Sequence, residues 1–199
     1  MILPTNINDT LTDDLALWQA FKKGEEKAFT ALYQRYVRVL YSYGKKILAD
    51  DELVEDTIQD LFTDLWRMRE KLSDAESVKF YLFRSLRRKI HLSQKPDYLF
   101  GEDWENTDEK LLPTLPSSET TLVENESTEL QIKKLQNWLK NLPERQYEAV
   151  LLRFYQNFEY DEIGAILGIN EQSARNLVQK AIINLRKMAV FLLVALMIF

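Results

Sequence analysis

The side chains best suited to sequence-specific chemistry lie near the C-terminal end of the chain, within residues 158–187. Amide and cationic side chains recur there at helical spacing, namely Gln172, Arg175, Asn176, Gln179 and Lys180. Amides pair with the edge of adenine, and arginine or lysine pairs with guanine or with phosphate. The chemistry that this pattern predicts is recognition of a DNA duplex. A solvated helix surface is the alternative interpretation.

Two helices and a turn must position these side chains. Apolar residues between Ile163 and Leu167 form the inner side of a short first helix, and small Gly164 lies where crossing helices approach closely. Gly168 stands where the chain reverses, because glycine adopts left-handed backbone angles without steric cost. Asn170 is a favourable N-cap for the second helix. The inward stripe of that helix consists of Ala174, Leu177, Val178, Ala181, Ile182 and Leu185. The organisation is that of a helix-turn-helix whose second helix fits a major groove.

A second candidate nucleic-acid surface lies on a helix that we expect to start at the capping-box sequence Ser73–Glu76. Its inward residues are Leu82, Phe83, Leu86 and Ile90, and its outward residues are Lys79, Phe80, Tyr81, Arg84, Arg87, Arg88 and His91. Cations that follow phosphates, interleaved with rings that stack on unpaired bases, are typical of proteins that bind single-stranded nucleic acid. A basic helix surface over core aromatics explains the same pattern.

The preceding helix, about residues 51–69, carries an acidic stripe opposite its buried side. The stripe consists of Asp56, Gln59, Asp60 and Thr63, and Trp66 lies near its edge. Periodicity alone favours a solvated face, and a docking surface for a basic partner helix is the alternative. A metal-dependent nuclease built on Asp56 and Asp60 is disfavoured, because the sequence offers no second cluster of ligands to complete a metal site.

Composition excludes several classes of site. The 199 residues include no cysteine and one histidine, His91, so disulfides and thiolate metal sites are excluded and a histidine-based metal site or catalytic triad is not expected. We expect no cofactor, no metal and no small-molecule substrate. The N-terminal sequence has no basic start followed by an apolar run, so we expect no signal peptide and a cytoplasmic protein.

The net charge of −5 is distributed unevenly. Residues 96–130 contain ten acidic residues and one basic residue, whereas residues 1–95 contain 15 acidic and 16 basic residues. Residues 131–199 contain six acidic and nine basic residues. The acidity therefore belongs to the middle of the chain, and both candidate nucleic-acid regions are near neutral or mildly basic. Proline, glycine and serine in this middle segment predict an extended linker.

These patterns predict an all-α fold of two small helical domains joined by a flexible acidic linker. The expected boundaries are residues 15–93 for the first domain, 94–127 for the linker, 128–187 for the second domain and 188–199 for an apolar helical tail. Residues 1–13 are expected to be loose. As a helix the tail spans about 18 Å, against about 30 Å of bilayer hydrocarbon. We therefore expect it to be buried against protein rather than to cross a membrane.

Taken together, these parts resemble the extracytoplasmic-function subfamily of bacterial RNA polymerase sigma factors, within the sigma-70 family. The first domain resembles region 2 through GEEKAFTALYQRYVRVLY, EDTIQDLFTDLWRMRE and FYLFRSLRRKI. The second resembles region 4 through LPERQYEAVLLRFYQNFEYDEIGAILGINEQSARNLVQKAIINLRK. The resemblance implies a non-enzymatic factor that binds core RNA polymerase, recognises the minus-ten and minus-thirty-five promoter elements and assists DNA melting.

The resemblance also implies roles for three sets of residues. Docking on the clamp coiled coil of the polymerase is implied for Asp56, Gln59, Asp60 and Trp66. Contact with the non-template single strand of the minus-ten element is implied for Lys79, Phe80, Tyr81, Arg84, Arg87 and Arg88. Contact with the minus-thirty-five duplex is implied for Gln172, Ser173, Arg175, Asn176, Gln179 and Lys180. The implied partners are core polymerase, promoter DNA and an anti-sigma factor. A stand-alone helix-turn-helix regulator is the alternative, and it should bind its duplex tightly without polymerase.

Overall fold

The computed structural model describes residues 7–93, 138–139 and 141–198, with side chains from Asp13 onward in the first range and up to Lys187 in the last. The described residues are α-helical and contain no strand. The chain forms two compact units, residues 1–107 and 108–199. The predicted linker at residues 94–127 lies outside the described residues.

Four helices make up the first unit. They are α1 (Ile7–Lys22), α2 (Glu26–Ile47), α3 (Asp51–Met68) and α4 (Val78–Ser93), and a 3-10 turn follows α3. Each helix packs against the next, and α4 also contacts α1 and α2, so the four enclose a single core. Leu40, Val54, Phe83 and Leu86 lie at its centre with no exposed surface. The inward residues expected for α3 and α4 are therefore buried.

The first helix begins earlier than its apolar pattern indicates. Residues 7–13 were expected to be loose, and this prediction is wrong because they form the first turns of α1. Asp14 is only 6% exposed, and it accepts hydrogen bonds from the Tyr36 hydroxyl and from the Arg35 guanidinium on α2. Arg35 also donates to Asp13. Burial and the hydrogen bond to Asp14 raise the pKa of the Tyr36 phenol well above its usual range. A polar network that periodicity does not detect thus holds this end of α1.

The start of α4 also differs from the prediction. The expected capping box at residues 73–76 does not cap the helix, which starts one residue after Ser77. The Ser77 hydroxyl accepts a hydrogen bond from the backbone N–H of Phe80 at 3.2 Å and is the N-terminal cap. The carbonyl of Ser73 instead accepts from the Trp18 indole N–H at 3.3 Å. The loop before α4 is therefore attached to α1.

The second unit contains α5 (Glu144–Val150), which a π-helical turn extends through Leu151–Tyr155, then α6 (Tyr160–Leu167) and α7 (Glu171–Ile198). Both α5 and α6 pack against α7. The core cluster consists of Leu139, Leu142, Tyr147, Val150, Leu151 and Ala181, with Leu185 packed against it. Of the helix predicted before Pro143, only Trp138 and Leu139 are described as helical.

Three apolar side chains lie at the surface of the second unit, and one of them, Ile182, was expected inside it. Phe154 and Tyr155 are 56% and 63% exposed, and Ile182 is 37% exposed. Phe154 and Tyr155 belong to the π-helical turn, whose geometry changes side-chain direction relative to a regular helix. The remaining inward residues of α7 are correctly predicted, since Ala174, Val178 and Ala181 have no exposed surface and Leu177 and Leu185 are half-buried.

The apolar tail continues α7 without a break, as predicted, because the helix runs to Ile198. The side chains beyond Lys187 lie outside the described residues. Within the described part of the chain, no helix is both long enough and apolar enough to span a bilayer.

The buried network around Asp14 gives a test of the first unit. We expect Tyr36→Phe to lower the free energy of unfolding by about 1–3 kcal/mol, because a buried carboxylate loses a hydrogen-bond donor. Tyr33→Phe is the matched control, since Tyr33 is 40% exposed and its ring contact with Phe62 is retained. Urea denaturation followed by circular dichroism measures both. Equal stability of the two variants would show that the network does not stabilise the unit.

Candidate nucleic-acid interface

The turn between α6 and α7 has the geometry that its glycines predict. Gly168 has φ of 66° and ψ of 35°, in the left-handed region that favours glycine. The N–H of Ile169 donates to the carbonyl of Gly164 at 2.9 Å. A Cβ at Gly164 would lie 2.8 Å from the Ile169 carbonyl oxygen, so only glycine permits this approach without a shift of the backbone. The close approach predicted at Gly164 and the turn predicted at Gly168 are therefore confirmed, and with them the helix-turn-helix.

Side-chain caps fix the start of each helix of this motif. Asn170 accepts a hydrogen bond from the N–H of Ser173 at 2.8 Å, which confirms it as the N-cap of α7. At the start of α6, the Glu162 carboxylate accepts from the N–H of Glu159 at 2.9 Å. Because both helix starts are held in this way, the outer face of α7 has a defined direction.

The outer face of α7 presents the residues predicted for duplex contact. Gln172, Asn176, Gln179 and Lys180 are exposed, while Ser173 and Arg175 are half-buried. The Gln172 amide donates to the Asn176 amide oxygen at 3.1 Å, so these two side chains form a pair one turn apart. A line of amides along an exposed helix face has the donor and acceptor groups that base edges require.

Cationic side chains from α7 and from neighbouring elements flank this line of amides. On one side, a cavity of about 270 Å³ is lined by Arg145, Ile169, Ser173, Asn176, Leu177 and Lys180. On the other side, the guanidinium groups of Arg153 and Arg175 lie over the ring of Tyr160. The sequence patterns did not single out Arg145, Arg153 or Tyr160, because their placement beside α7 depends on how α5 and α6 pack. An amide line between two cationic flanks matches a major groove between two phosphate backbones.

The acidic stripe on α3 is exposed along its whole length, at Asp56, Gln59, Asp60 and Thr63. Within the described residues, Asp56 and Asp60 form no ion pair. Other acids of the same helix do: Asp51 pairs with Lys45 at 2.6 Å, and Asp64 pairs with Lys89 at 2.6 Å. The stripe therefore keeps two uncompensated carboxylates, as a docking surface for a basic partner requires.

Trp66 is more involved in packing than the other residues predicted for docking. Its ring is half-buried, with the ring of Phe29 at 5.1 Å and the Arg69 guanidinium over it at 4.7 Å. Arg69 also donates to the backbone carbonyl of Trp66 at 2.9 Å. Part of the Trp66 ring stays exposed on the helix that carries the acidic stripe.

The basic face of α4 contains two cations without an internal partner in the described part of the chain, Arg84 and Arg88, both exposed. Lys79, Phe80 and Tyr81 are half-buried at the start of the helix. The Tyr81 ring packs 5.1 Å from that of Trp18, and burial raises the pKa of its hydroxyl. Arg87 was expected on the outward side of α4, and this prediction is wrong. Arg87 is 6% exposed and belongs to the interior of the first unit. Five of the six residues predicted for single-strand contact are therefore exposed or half-buried.

The described residues contain no group of three or more histidine, aspartate or glutamate side chains placed to hold a metal ion. His91 is exposed at the end of α4, as predicted for an outward residue.

Two protein-family models match the sequence. The model described as sigma-70 region 2 matches residues 32–93, and the model described as sigma-70 region 4 matches residues 132–185. The first match includes the acidic stripe and the basic face of α4. The second includes the helix-turn-helix. No curated protein sequence matches the chain.

Solved structures show the same fold at low sequence identity. CnrH, in complex with the cytosolic domain of CnrY, is 17% identical with a TM-score of 0.60, and the match covers 88% of this chain and 96% of that chain. The sigma factor RpoE, in complex with the anti-sigma factor NepR from Bartonella quintana, is 19% identical with a TM-score of 0.55, and the match covers 82% of this chain and 97% of that chain.

The sigma-70 models cover more than half of the 199 residues, and each falls on one of the two helical units. The chain therefore belongs to the sigma-70 family of bacterial RNA polymerase sigma factors, with the two-region organisation of its extracytoplasmic-function subfamily.

Proposed function

We propose that this sigma factor directs promoter-specific initiation through three separate surfaces, one each on α3, α4 and α7. The observation that carries the proposal is the pattern of uncompensated charge. Among the described residues, Asp56 and Asp60 on α3 form no ion pair and Arg84 and Arg88 on α4 have no partner, although these two helices pack against each other. Exposed charges that the fold leaves unpaired are available to partners of opposite charge.

The acidic stripe of α3 docks on core RNA polymerase, on the clamp coiled coil of its largest subunit. Asp56 and Asp60 contact basic side chains of that element, and Gln59 lies between them to accept or donate a hydrogen bond. Trp66 contributes the exposed part of its ring at the border of the stripe. Because the two carboxylates are exposed, their chief effect is on orientation and on the rate of association.

The basic face of α4 binds the non-template strand of the minus-ten element. Arg84 and Arg88 contact phosphates, and Lys79, Phe80 and Tyr81 lie where unpaired bases stack or are held. The chain makes and breaks no covalent bond. A surface that binds single strands better than duplex shifts the equilibrium toward open DNA by that difference in affinity.

The outer face of α7 binds the minus-thirty-five element as duplex. Gln172, Ser173, Asn176 and Gln179 face the base edges, and Lys180 and Arg175 lie toward the flanks. The caps at Asn170 and Glu162 hold the direction of the helix before DNA arrives, so little ordering accompanies binding.

A regulatory partner is also proposed. Both similar structures are complexes, one with the cytosolic domain of CnrY and one with the anti-sigma factor NepR. By that similarity we propose that an anti-sigma factor holds this chain inactive in the cytoplasm until a signal releases it.

Run-off transcription with core polymerase over a promoter library tests the proposal. We expect starts at two-part promoters only when chain and core are both present, because each surface alone contributes a weak contact. The isolated chain should bind the same duplexes at least about a hundredfold more weakly than the holoenzyme, a difference of about 2.7 kcal/mol. Tight, polymerase-independent binding to one operator would instead indicate a stand-alone helix-turn-helix regulator.

Neutralising the acidic stripe tests polymerase docking. We expect Asp56→Asn with Asp60→Asn to weaken binding to core polymerase about tenfold, because two uncompensated carboxylates are lost. Glu25→Gln with Glu26→Gln is the control for the loss of two acidic charges, since both acids are exposed and lie at the start of α2 rather than on α3. Fluorescence anisotropy with labelled chain measures the affinity. If both double variants bind core equally well, the stripe is not the docking surface.

Removing the free cations of α4 tests capture of the single strand. We expect Arg84→Ala with Arg88→Ala to reduce open-complex formation at least about tenfold and to lower its salt dependence by about two charges, since two phosphate contacts are lost. Lys89→Ala is the control, because Lys89 is already paired with Asp64. Permanganate reactivity of unpaired thymines reports opening. Unchanged opening in the double variant, with core binding intact, would contradict this role.

A further inference from the structure

The ring of Tyr160, the first residue of α6, lies between two guanidinium groups. The Cζ of Arg153 is 4.9 Å from the ring centroid, and the Cζ of Arg175 is 4.4 Å from it. Arg153 comes from the π-helical turn after α5 and Arg175 comes from α7. The Tyr160 side chain therefore links α6 to the π-helical turn and to α7, beside the face of α7 proposed to bind DNA.

Each guanidinium in this stack also has an anionic partner. Arg153 pairs with Glu159 at 3.0 Å and donates to the carbonyl of Phe158 at 2.8 Å. Arg175 pairs with Glu171, one turn earlier on α7, at 2.7 Å. A planar guanidinium stacked on a ring keeps its edge available for hydrogen bonds. The Arg175 side chain is thus held in one direction by the ring and by the carboxylate together.

The Arg175 side chain is held on one side of the line of amides rather than within it. At about 100° per residue, Arg175 lies about 60° round the helix axis from Gln172, on the side of α6. Gln172, Asn176 and Gln179 lie within about 60° of one another and form the middle of the exposed face. When a helix lies in a major groove about 12 Å wide, its middle faces the bases and its flanks face the phosphate backbones.

We infer that Arg175 anchors a phosphate of the minus-thirty-five duplex and reads no base, and that Tyr160 is the positioning residue that holds it there. Base discrimination is then left to the amides of Gln172, Asn176 and Gln179, which favour adenine. This inference rests on the proposed function of α7 as the duplex-binding helix.

The ion pair with Glu171 is compatible with this role. Arg175 and Glu171 have side chains that are 42% and 54% exposed, and pairs between exposed side chains contribute little. A phosphate forms stronger, bidentate hydrogen bonds with arginine, so it can replace Glu171 while the ring contact is kept.

The test uses the full chain with core polymerase and a library of promoters that differ only in the minus-thirty-five element. We expect Arg175→Ala to weaken binding by a similar factor, about tenfold, on every sequence, and to lower the slope of log affinity against log salt by about one. Asn176→Ala, the comparison on the same helix, should relax the preference at one or two base pairs without changing the salt slope.

Substitutions at Tyr160 test the positioning role. Tyr160→Leu should reproduce the uniform loss and the lower salt slope of Arg175→Ala, and the double variant should lose no more than either alone. Tyr160→Phe keeps the ring and should bind as the unchanged chain does. If Tyr160→Leu fails to fold, Arg175→Lys replaces it, since lysine keeps the charge without the planar stack and should lose affinity equally on every sequence.

Three results would overturn the inference. A change in preference at a single base pair after Arg175→Ala would make Arg175 a base reader. Additive losses from Tyr160→Leu and Arg175→Ala would show that the ring does not act through Arg175. If the Arg175 and Asn176 variants both bound every promoter as the unchanged chain does, the duplex-binding role of α7 would fail, and this inference with it.

Discussion

The acidic stripe of α3 and the basic face of α4 lie on neighbouring helices. Their charges would neutralise each other if they met, and the four-helix core of the first unit keeps them apart. The two helices meet at Asp64 and Lys89, which pair at 2.6 Å. Asp56, Asp60, Arg84 and Arg88 are exposed, and within the described residues none of them pairs with another. A surface charge acts over about one Debye length, roughly 8–10 Å. Rigid helices can therefore keep two surfaces of opposite charge available to partners on one small unit.

The same unit depends on a polar interaction inside it. Asp14, with Tyr36 and Arg35, fixes α1 against α2, and α1 in turn supports the start of α4. Trp18 packs on Tyr81 and donates to the Ser73 carbonyl, so the loop and first turn of α4 rest on α1. A buried carboxylate is stable only when its oxygens are satisfied by donors. The start of α4, which carries the proposed single-strand surface, therefore rests on the helix that these hydrogen bonds hold in place.

The sequence could predict those features that depend on local chemistry. Gly168 and Asn170 identify the turn and the cap of α7 because each acts within a few residues of itself, and the sigma-70 regions follow from motifs of the same local kind. The features missed depend on distant contacts. Burial of Asp14 and Arg87 results from packing between helices, and Ser77 caps α4 because the preceding loop is attached to Trp18. The stack of Arg153, Tyr160 and Arg175 joins residues up to 22 positions apart, which no periodicity reveals.

A chain of net charge −5 can bind DNA because binding depends on local rather than total charge. Residues 96–130 account for the negative balance, whereas residues 1–95 and 131–199, which carry the proposed nucleic-acid surfaces, are near neutral or slightly basic. On the proposed surfaces each unit contributes only a few phosphate contacts, so we expect each to bind DNA weakly by itself. When both units are held on one polymerase, the second contact becomes intramolecular and the two affinities combine. Two weak surfaces thus make promoter binding conditional on polymerase. A chain with one strong DNA-binding surface would instead occupy promoters in the absence of polymerase.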